Sequence, residues 1–523
     1  MLPSQSSPLV IGLDCSTTAC KAIVWDPSGT AVGEGRASLE LNQPHPGWHE
    51  QSAESWFTAA CQAIRAACQN IYAYRLAGLC LSIQRETFVT VDSQGKPLRP
   101  AIVWMDERCR SLLSAIEQTC GADTIHRITG KPLSGNLALG KIAWIRQYEP
   151  EIFKAASAFL DVHAYLALRL TGQAATGFGC ADPLGLFDLQ RLTWADHLLQ
   201  VVGSSPAQMP PAFPTGTFLG YLLPEVCTLC GLPAYLRLPL FAGIGDGQAA
   251  ALGAGLENQN DIYLNLGTAV ISGSQASQYL TNPAFRTMLS ALPGTYLLET
   301  VLLGGAYTVR WFIEKFGMPP GCPPSASPAA AWDASAESIL PGAEGLMLVP
   351  YWNSAMNPFW DASASGIVAG WRGVHTPAHL FRAILEGIGF ELRLSVTGVE
   401  AALGTSLARL IAVGGGARSQ LWCQIIADIT GKFVQRSKTR EASSLGAAII
   451  AAQAAGIYST IKEASEKMTC LETEGFSPDP ARQALYIQLF EQVYQYLYPA
   501  LQPYLKSLTI LSEQIKNQPD SQA

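Results

Sequence analysis

The sequence predicts an α/β protein built from two domains of related layout, and three observations carry that prediction. The chain has 523 residues, too many for one hydrophobic core, so two domains of about 250 residues are the default. Strand-like and helix-like segments alternate along the N-terminal half, as in an α/β sheet. A strand, a small hydroxyl-rich turn and a second strand near the start, "VIGLDCSTTACKAIVW", are echoed past the middle by "IYLNLGTAVISGS".

Composition narrows the function classes. Hydrophobic residues make up 48% and charged residues 14%. The charged share is well below the roughly 25% of ordinary globular domains, so large buried surfaces are available. The net charge of −7 comes without blocks of like charge, which points away from nucleic-acid and membrane-surface partners. No apolar run reaches the roughly 18 residues of a membrane span. The nearest, "LGAAIIAAQAAGIY" at 445–458, is interrupted by Gln453. The opening "MLPSQSSPLV" lacks the basic and apolar regions of a secretory signal, so a cytoplasmic protein is expected. The 13 cysteines, odd in number and spread from Cys15 to Cys470, are not a disulfide framework. Cys227 and Cys230 form one CxxC, but two further zinc ligands are not nearby. They read as small apolar residues on a short helix ended by Gly231 and Pro233.

In chain order, "LVIGLD" and "KAIVWD" are strands around a turn holding Asp14, Ser16, Thr17, Thr18 and Lys21. Residues 52–71 read as a helix that Ser52 could cap, with an apolar stripe from Ser55. "LAGLCLSI", "TFVTVD" and "AIVW" are strand-like, with the turn "DSQGKP" before the last. Segment 141–171 reads as mainly helical, and 203–216 as a Pro-rich surface loop. "LPLFAGIGDGQAAALGAG" reads as strand, turn and helix. A domain boundary is expected within 255–263, and an exposed excursion at 318–338. Residues 377–403 form a strong helical pattern, with Phe381, Ile384, Leu385, Ile388, Leu392, Val396 and Val399 at helical spacing. Gly387 and Gly389 inside it each cost about 1 kcal/mol against Ala, which predicts close packing there. Strand 410–413 leads into Gly414, Gly415 and Gly416 and then a helix.

Four small-residue turns carry the chemistry: the opening turn, "GIGDGQ" with Asp246, "LNLGTAV" with Gly267 and Thr268, and the triple-glycine turn. Ligands of α/β sheets collect outside the carboxyl ends of strands. Glycine turns admit a nucleotide close to the backbone, and N–H groups and threonine hydroxyls hold phosphate oxygens. Two strand-end acids can divide two tasks, one orienting hydrated Mg²⁺ and the other accepting a proton. Singly each signal is weak, since Asp14 could be a turn residue, Asp246 a helix cap and the glycines a helix start. GxGxxG and GxxxxGK[ST] do not occur. The order of all four turns across two halves carries the argument.

With these motifs the chain resembles the FGGY carbohydrate kinase family, over roughly residues 9–500. "GLDCSTTACKAIVWD" resembles its first phosphate motif and "HPGWHEQSAESWF" its PGW-x-EQ segment. "PLRPAIVWMDERC" resembles its W-x-D-x-R stretch and "GIGDGQAAALGAG" its catalytic-aspartate turn. "GGGARSQLWCQIIADITGKFV" followed by "EASSLGAAIIAA" resembles its adenosine-side signature.

The resemblance implies two actin-like ATPase (ribonuclease H-like) domains flanking a catalytic cleft. Residues 1–256 would bind the sugar and hold the base, 257–510 would bind ATP, and 511–523 would be a polar, frayed tail. It implies that Asp246 is the general base for a sugar hydroxyl attacking the γ-phosphate of ATP. Asp14 would orient Mg²⁺, with Asp246 beside it. Ser16, Thr17, Thr18 and Lys21 would lie near the transferred phosphoryl group, and Gly267, Thr268 and Gly304 near the rest of the nucleotide. Gly415 and Gly416 would lie under the adenosine, with Gln420 close by. Substrate contacts would come from Gln84, Arg85 and Glu86 of "SIQRET" and Trp104 and Asp106 of "VWMDER". The plainer reading of Arg85 and Glu86 is an internal salt bridge.

The QRET form resembles glycerol kinases, whereas "SGNLALGKIAWIRQYEPEIF", with Asn136, resembles xylulokinases. "PYWNSAMNPFWD" lacks the Glu-Arg pair of the common PYLxGERxP pattern. Gly247 stands where glycerol kinases have Gln and xylulokinases Asn, which predicts extra room and a substrate longer than glycerol. The expectation is a kinase for a ketopentose of the xylulose or ribulose type, or for a longer polyol. The alternatives are a glycerol kinase and a non-catalytic actin-like binding protein. No nucleic-acid or membrane partner is expected, and a homodimer stays open.

Overall fold

A computed structural model of the chain describes residues 7–322, 327–352 and 354–516. Two mixed sheets organise it. In the N-terminal sheet the strands run Phe218–Tyr221, Pro239–Gly245, Leu76–Ile83, Leu9–Cys15, Ala19–Trp25, Ala31–Ser38. In the C-terminal sheet they run Arg286–Leu289, Tyr296–Leu302, Val270–Ala276, Asp261–Leu266, Arg409–Val413, Phe433–Ser437, Leu471–Phe476. Each sheet has one central strand with antiparallel neighbours on one side, then two parallel strands and an antiparallel edge on the other. The echo between the two turns in the sequence is therefore a repeat of topology. The two halves meet between Gly253, which ends one helix, and Asp261, which opens the second sheet.

Strand periodicity explains how both faces of the N-terminal sheet are covered. Leu9, Ile11 and Leu13 pack with Trp56, Ala60 and Ile64 of helix Ala53–Ala67. Val10, on the opposite face, packs with Leu445, Ala448 and Ile449 of helix Ala442–Ala454. That second helix belongs to the C-terminal half. In return Ala250, Ala251 and Ala254, at the end of the N-terminal half, pack on Tyr263, Ile411 and Val413 of the C-terminal sheet. The halves thus exchange a helix each. The crossing is close: a Cβ at Gly12 would strike the carbonyl of Ser444, and one at Gly446 the carbonyl of Ala249. Ser444 Oγ donates to Gly12 O at 2.9 Å and accepts from Trp25 Nε1 at 3.1 Å.

The helix expected at 377–403 spans Pro377–Leu403, and all seven named apolar residues are buried. Gly387 abuts the carbonyl of Leu348 and Gly389 lies 2.7 Å, from where a Cβ would stand, to Ile429 Cδ1. Close packing is thus the reason for both glycines. Several expectations need correction. Segment 141–171 is mainly helical as expected, but strand Ala158–Asp161 interrupts it and joins a separate four-stranded sheet. The excursion at 318–338 contains helix Pro328–Glu337, whose Trp332 is buried in the core; residues 323–326 lie outside the described residues. The C-terminal helix continues through Lys516, so 511–516 are helical rather than frayed, and 517–523 lie outside the described residues. Ser52 sits at the helix N-cap position without a side-chain bond. Cys227 and Cys230 are fully buried at the end of helix Pro224–Leu229. No helix among the described residues is long and apolar enough to cross a membrane.

Candidate active site

Asp14 and Asp246 end two strands at the same edge of the N-terminal sheet. Asp14 lies in Leu9–Cys15, and Asp246 follows Pro239–Gly245 and opens helix Asp246–Gly253. Both strands flank Leu76–Ile83, whose Ser82 Oγ donates to Asp14 Oδ1 at 2.8 Å. Burial, then the charge of Asp246, raises the Asp14 carboxyl to about 7, against the opposing pull of Ser82 and Lys21. Burial also raises Asp246, partly offset by Arg85. Asp246 Oδ1 accepts from the Gly247 N–H at 2.8 Å and from Arg85 Nε at 2.9 Å. The second oxygen of each aspartate makes no hydrogen bond to protein among the described residues.

The turn between the first two strands is tight. Ser16 N–H and Oγ both donate to Ala19 O, and Asp14 stands opposite Lys21 in the ladder. Thr17 Oγ1 accepts from Trp104 Nε1 at 3.0 Å and donates to Gln84 Oε1 at 3.1 Å. Ser16, Thr17, Arg85, Glu86, Trp104, Asn136, Asp246 and Arg286 wall a cavity of about 170 Å³. This is smaller than the roughly 300 Å³ at which drug-sized pockets begin. An adjoining cavity of about 640 Å³ is lined by Trp104, Asp106 and Asn136 from one half and Thr268 and Tyr307 from the other. A third, of about 1000 Å³, is bounded by Gly414, Gly415, Arg418, Lys438, Arg440 and Glu441.

The expected site residues divide accordingly. Asp246, Arg85, Glu86, Trp104, Ser16 and Thr17 come together around the small cavity. Gln84 does not: it is buried, bonded to Gln51 and Thr17. Asp106 borders the middle cavity, but its carboxylate is held by Arg108 through Nε and Nη2, both 2.8 Å, and by the His49 N–H. Lys21 is paired with Glu441 of the C-terminal half at 2.6 Å. Gly415 is open to the large cavity, whereas a Cβ at Gly416 would strike Trp422.

Arg85 and Glu86 do form internal salt bridges, not with each other but with partners in the other half, Arg85 also with Asp246 of its own half. Arg85 Nη1 donates to Glu299 Oε2 at 2.8 Å, and Arg286 joins Glu299 and Glu86, both at 2.6 Å. Gly247 is explained by this chain, and its expected extra room does not exist. A Cβ there would stand 2.6 Å from Glu299 Oε2 and 2.9 Å from Arg85 Nη2. The ion pair fills the space that the missing side chain vacates.

The two halves match the N-terminal and C-terminal domains of the FGGY family of carbohydrate kinases, over residues 9–253 and 262–455. The chain belongs to that family. A xylulose kinase of Escherichia coli (strain K12) is 31% identical over 504 residues, covering 94% of this chain and 100% of that protein. A gluconokinase of Bacillus licheniformis is 25% identical, over 87% of this chain and 88% of its own. The solved structure of a xylulose kinase from Rhodospirillum rubrum superposes with a TM-score of 0.86 at 29% identity, over 95% of this chain and 99% of that one.

As an FGGY carbohydrate kinase the protein uses ATP as phosphate donor and has the two-domain fold of that family. The sequence missed Glu299, Arg286, Glu441 and Gln51. Gln51 lies within the PGW-x-EQ segment, and its amide donates to Thr17 O at 2.6 Å while its Oε1 accepts from Gln84 and Trp56. That segment was thus a signal for the residue that braces the turn between the first two strands. Glu441 opens the "EASSLGAAIIAA" segment, whereas Glu299 and Arg286 sit in strands of the opposite half with no motif of their own. The buried group Asp161, His163 and Cys180 is structural: His163 Nε2 accepts from Gly243 N–H and its Nδ1 faces Ala175 O.

Proposed function

We propose that this FGGY kinase transfers the γ-phosphate of ATP to a hydroxyl of a ketopentose of the xylulose class. One observation carries the reading: Asp246 and the phosphate-turn residues Ser16 and Thr17 wall the same small cavity. A base and a phosphate motif meet there around a space fit for a small sugar. Asp246 accepts the proton of the sugar hydroxyl as its oxygen bonds to phosphorus; the bond to the bridging oxygen breaks and ADP leaves. The N–H groups of Thr17 and Thr18 and the Thr18 hydroxyl face the transferred group, on a turn that the Ser16–Ala19 bonds hold closed. Thr268 and Gly267 attend the remaining phosphates, and Gly415 the adenosine end beside Arg418, Lys438 and Arg440.

The donor set at the strand ends fits a magnesium ion. Asp14 and Asp246 are hard oxygen donors, each with one oxygen free of protein bonds; burial raises the proton affinity of both, and the charge of Asp246 raises that of Asp14 further. Asp14 would hold the ion, with Asp246 beside it, and the ion would neutralise phosphate charge. Trp104 and Asn136 line the sugar side. The ground for a substrate larger than glycerol was the space at Gly247, which is filled. The ketopentose reading rests instead on the likeness to xylulose kinases.

The test is a substrate panel of xylulose, ribulose, ribitol, erythritol, glycerol and gluconate with Mg-ATP, following ADP. Xylulose or ribulose should give the highest kcat/KM. A higher value for glycerol or gluconate, or no sugar above the substrate-free rate, would overturn the reading.

A further inference from the structure

Five charged side chains form one chain across the two halves. Asp246 pairs with Arg85, Arg85 with Glu299, Glu299 with Arg286, and Arg286 with Glu86. Asp246, Arg85 and Glu86 belong to the N-terminal half; Glu299 and Arg286 stand on neighbouring strands of the C-terminal sheet. Arg85, Glu86, Arg286 and Glu299 are all buried, and Glu299 is 1% exposed. Burial opposes the charge on Glu299, but Arg286 and Arg85 outweigh it and hold the carboxyl below its ordinary value. Glu86 adopts the left-handed backbone region, φ 59°, which a non-glycine residue holds only when its surroundings fix it.

We infer that Glu299 and Arg286 are positioning residues for the transfer reaction, acting on the sugar pocket from the opposite half. Glu299 grips Arg85 so that its Nε stays on Asp246; Arg286 grips Glu86 on the pocket wall. The guanidinium of Arg85 has a planar fork, so anchoring one edge orients the other. Gly247 belongs to the same device, since any side chain there would displace the Arg85–Glu299 pair. The base is therefore in register only when both halves are in place, which ties closure of the cleft to chemistry. The inference rests on the assignment of Asp246 as base.

The two residues should separate kinetically. Glu299→Gln should lower kcat at least tenfold, with Mg-ATP affinity unchanged, because a misplaced base loses rate rather than binding. Arg286→Lys should chiefly raise the KM for the sugar. A purely structural role would lower kcat, raise KM and lower the thermal midpoint together in both variants, and that result would overturn the inference. On an Asp246→Asn background, Glu299→Gln should leave the residual rate unchanged; an equal fractional loss there would also overturn it. If Glu299→Gln does not fold, Gly247→Ala shifts the same pair without removing either charge, and should give the same kcat-selective loss. Near-normal turnover by Asp246→Asn would overturn the base assignment and this role with it. An inactive Asp246→Asn beside a wild-type-like Glu299→Gln and Gly247→Ala would overturn this inference alone.

Discussion

Asp246 and Glu391 are both carboxyls with raised proton affinity, Glu391 buried and Asp246 part-exposed, and they lead to different experiments. Asp246 lines the small cavity proposed for the sugar, so Asp246→Asn should lower turnover by about 10²–10⁴-fold while Mg-ATP still binds, as calorimetry would show. Glu391 lies in the core of the other half, accepting from Tyr351 at 2.7 Å and Tyr494 at 2.8 Å. Burial raises its carboxyl to about 7, against those hydrogen bonds. A carboxyl raised in the folded state favours folding at low pH, and that advantage is lost as pH rises toward 7. Glu391→Gln should therefore raise the thermal midpoint more at pH 8 than at pH 5, by about 1–3 kcal/mol of stability at the higher pH. Equal shifts at both pH values would contradict this. At this scale the sequence was legible where a turn has a local pattern, as in the strand-end positions of Asp14 and Asp246. It was not legible where a partner lies far along the chain, as with Arg85 and Glu299, 214 residues apart. Gly247 shows the limit: the chain displays a missing side chain but not what fills its place.

Elements with their own end signals were readable. Helix Pro377–Leu403 has Pro377 in its first turn, a capping pair of Thr376 and His379, and Gly404 in the left-handed conformation at its end. Strand Ala158–Asp161 has four residues between two helices, too short for a period to register. The crossing of helix Ala442–Ala454 with helix Asp246–Gly253 and strand Leu9–Cys15 was not readable, although its glycines stood in the sequence. Gly446→Ala should destabilise the protein by at least about 1–3 kcal/mol, because the new methyl group meets backbone carbonyl rather than a side chain that can turn away. Urea denaturation would report this, and an unchanged midpoint would mean that the helices can move apart freely.

The whole molecule is held by parts lent from one half to the other. Besides the exchanged helices, strand Arg286–Leu289 is pinned by the N-terminal half. Thr287 N–H donates to Gly130 O at 2.8 Å and Leu289 N–H to Asp182 Oδ2 at 2.7 Å. Asp182 is also the ion partner of fully buried Lys131, whose ammonium is driven well below its ordinary value by burial. Asp182→Asn should destabilise by about 3–5 kcal/mol, since it strands a buried cation; a loss below 1 kcal/mol would show that Lys131 is already neutral. Two domains and their repeat were visible in the sequence, but not this lending, because pattern reports what a segment must bury and not against whom. Residues 1–256 and 257–523 made separately should precipitate, and made together should recover kinase activity. Synthesis adds a delay of its own. Helix Ala442–Ala454 is completed about 200 residues after Gly253, which at 5–20 residues per second takes roughly 10–40 s. Through that interval the nascent N-terminal sheet has one apolar face without the helix that covers it in the finished protein, a surface of the kind that chaperones shield.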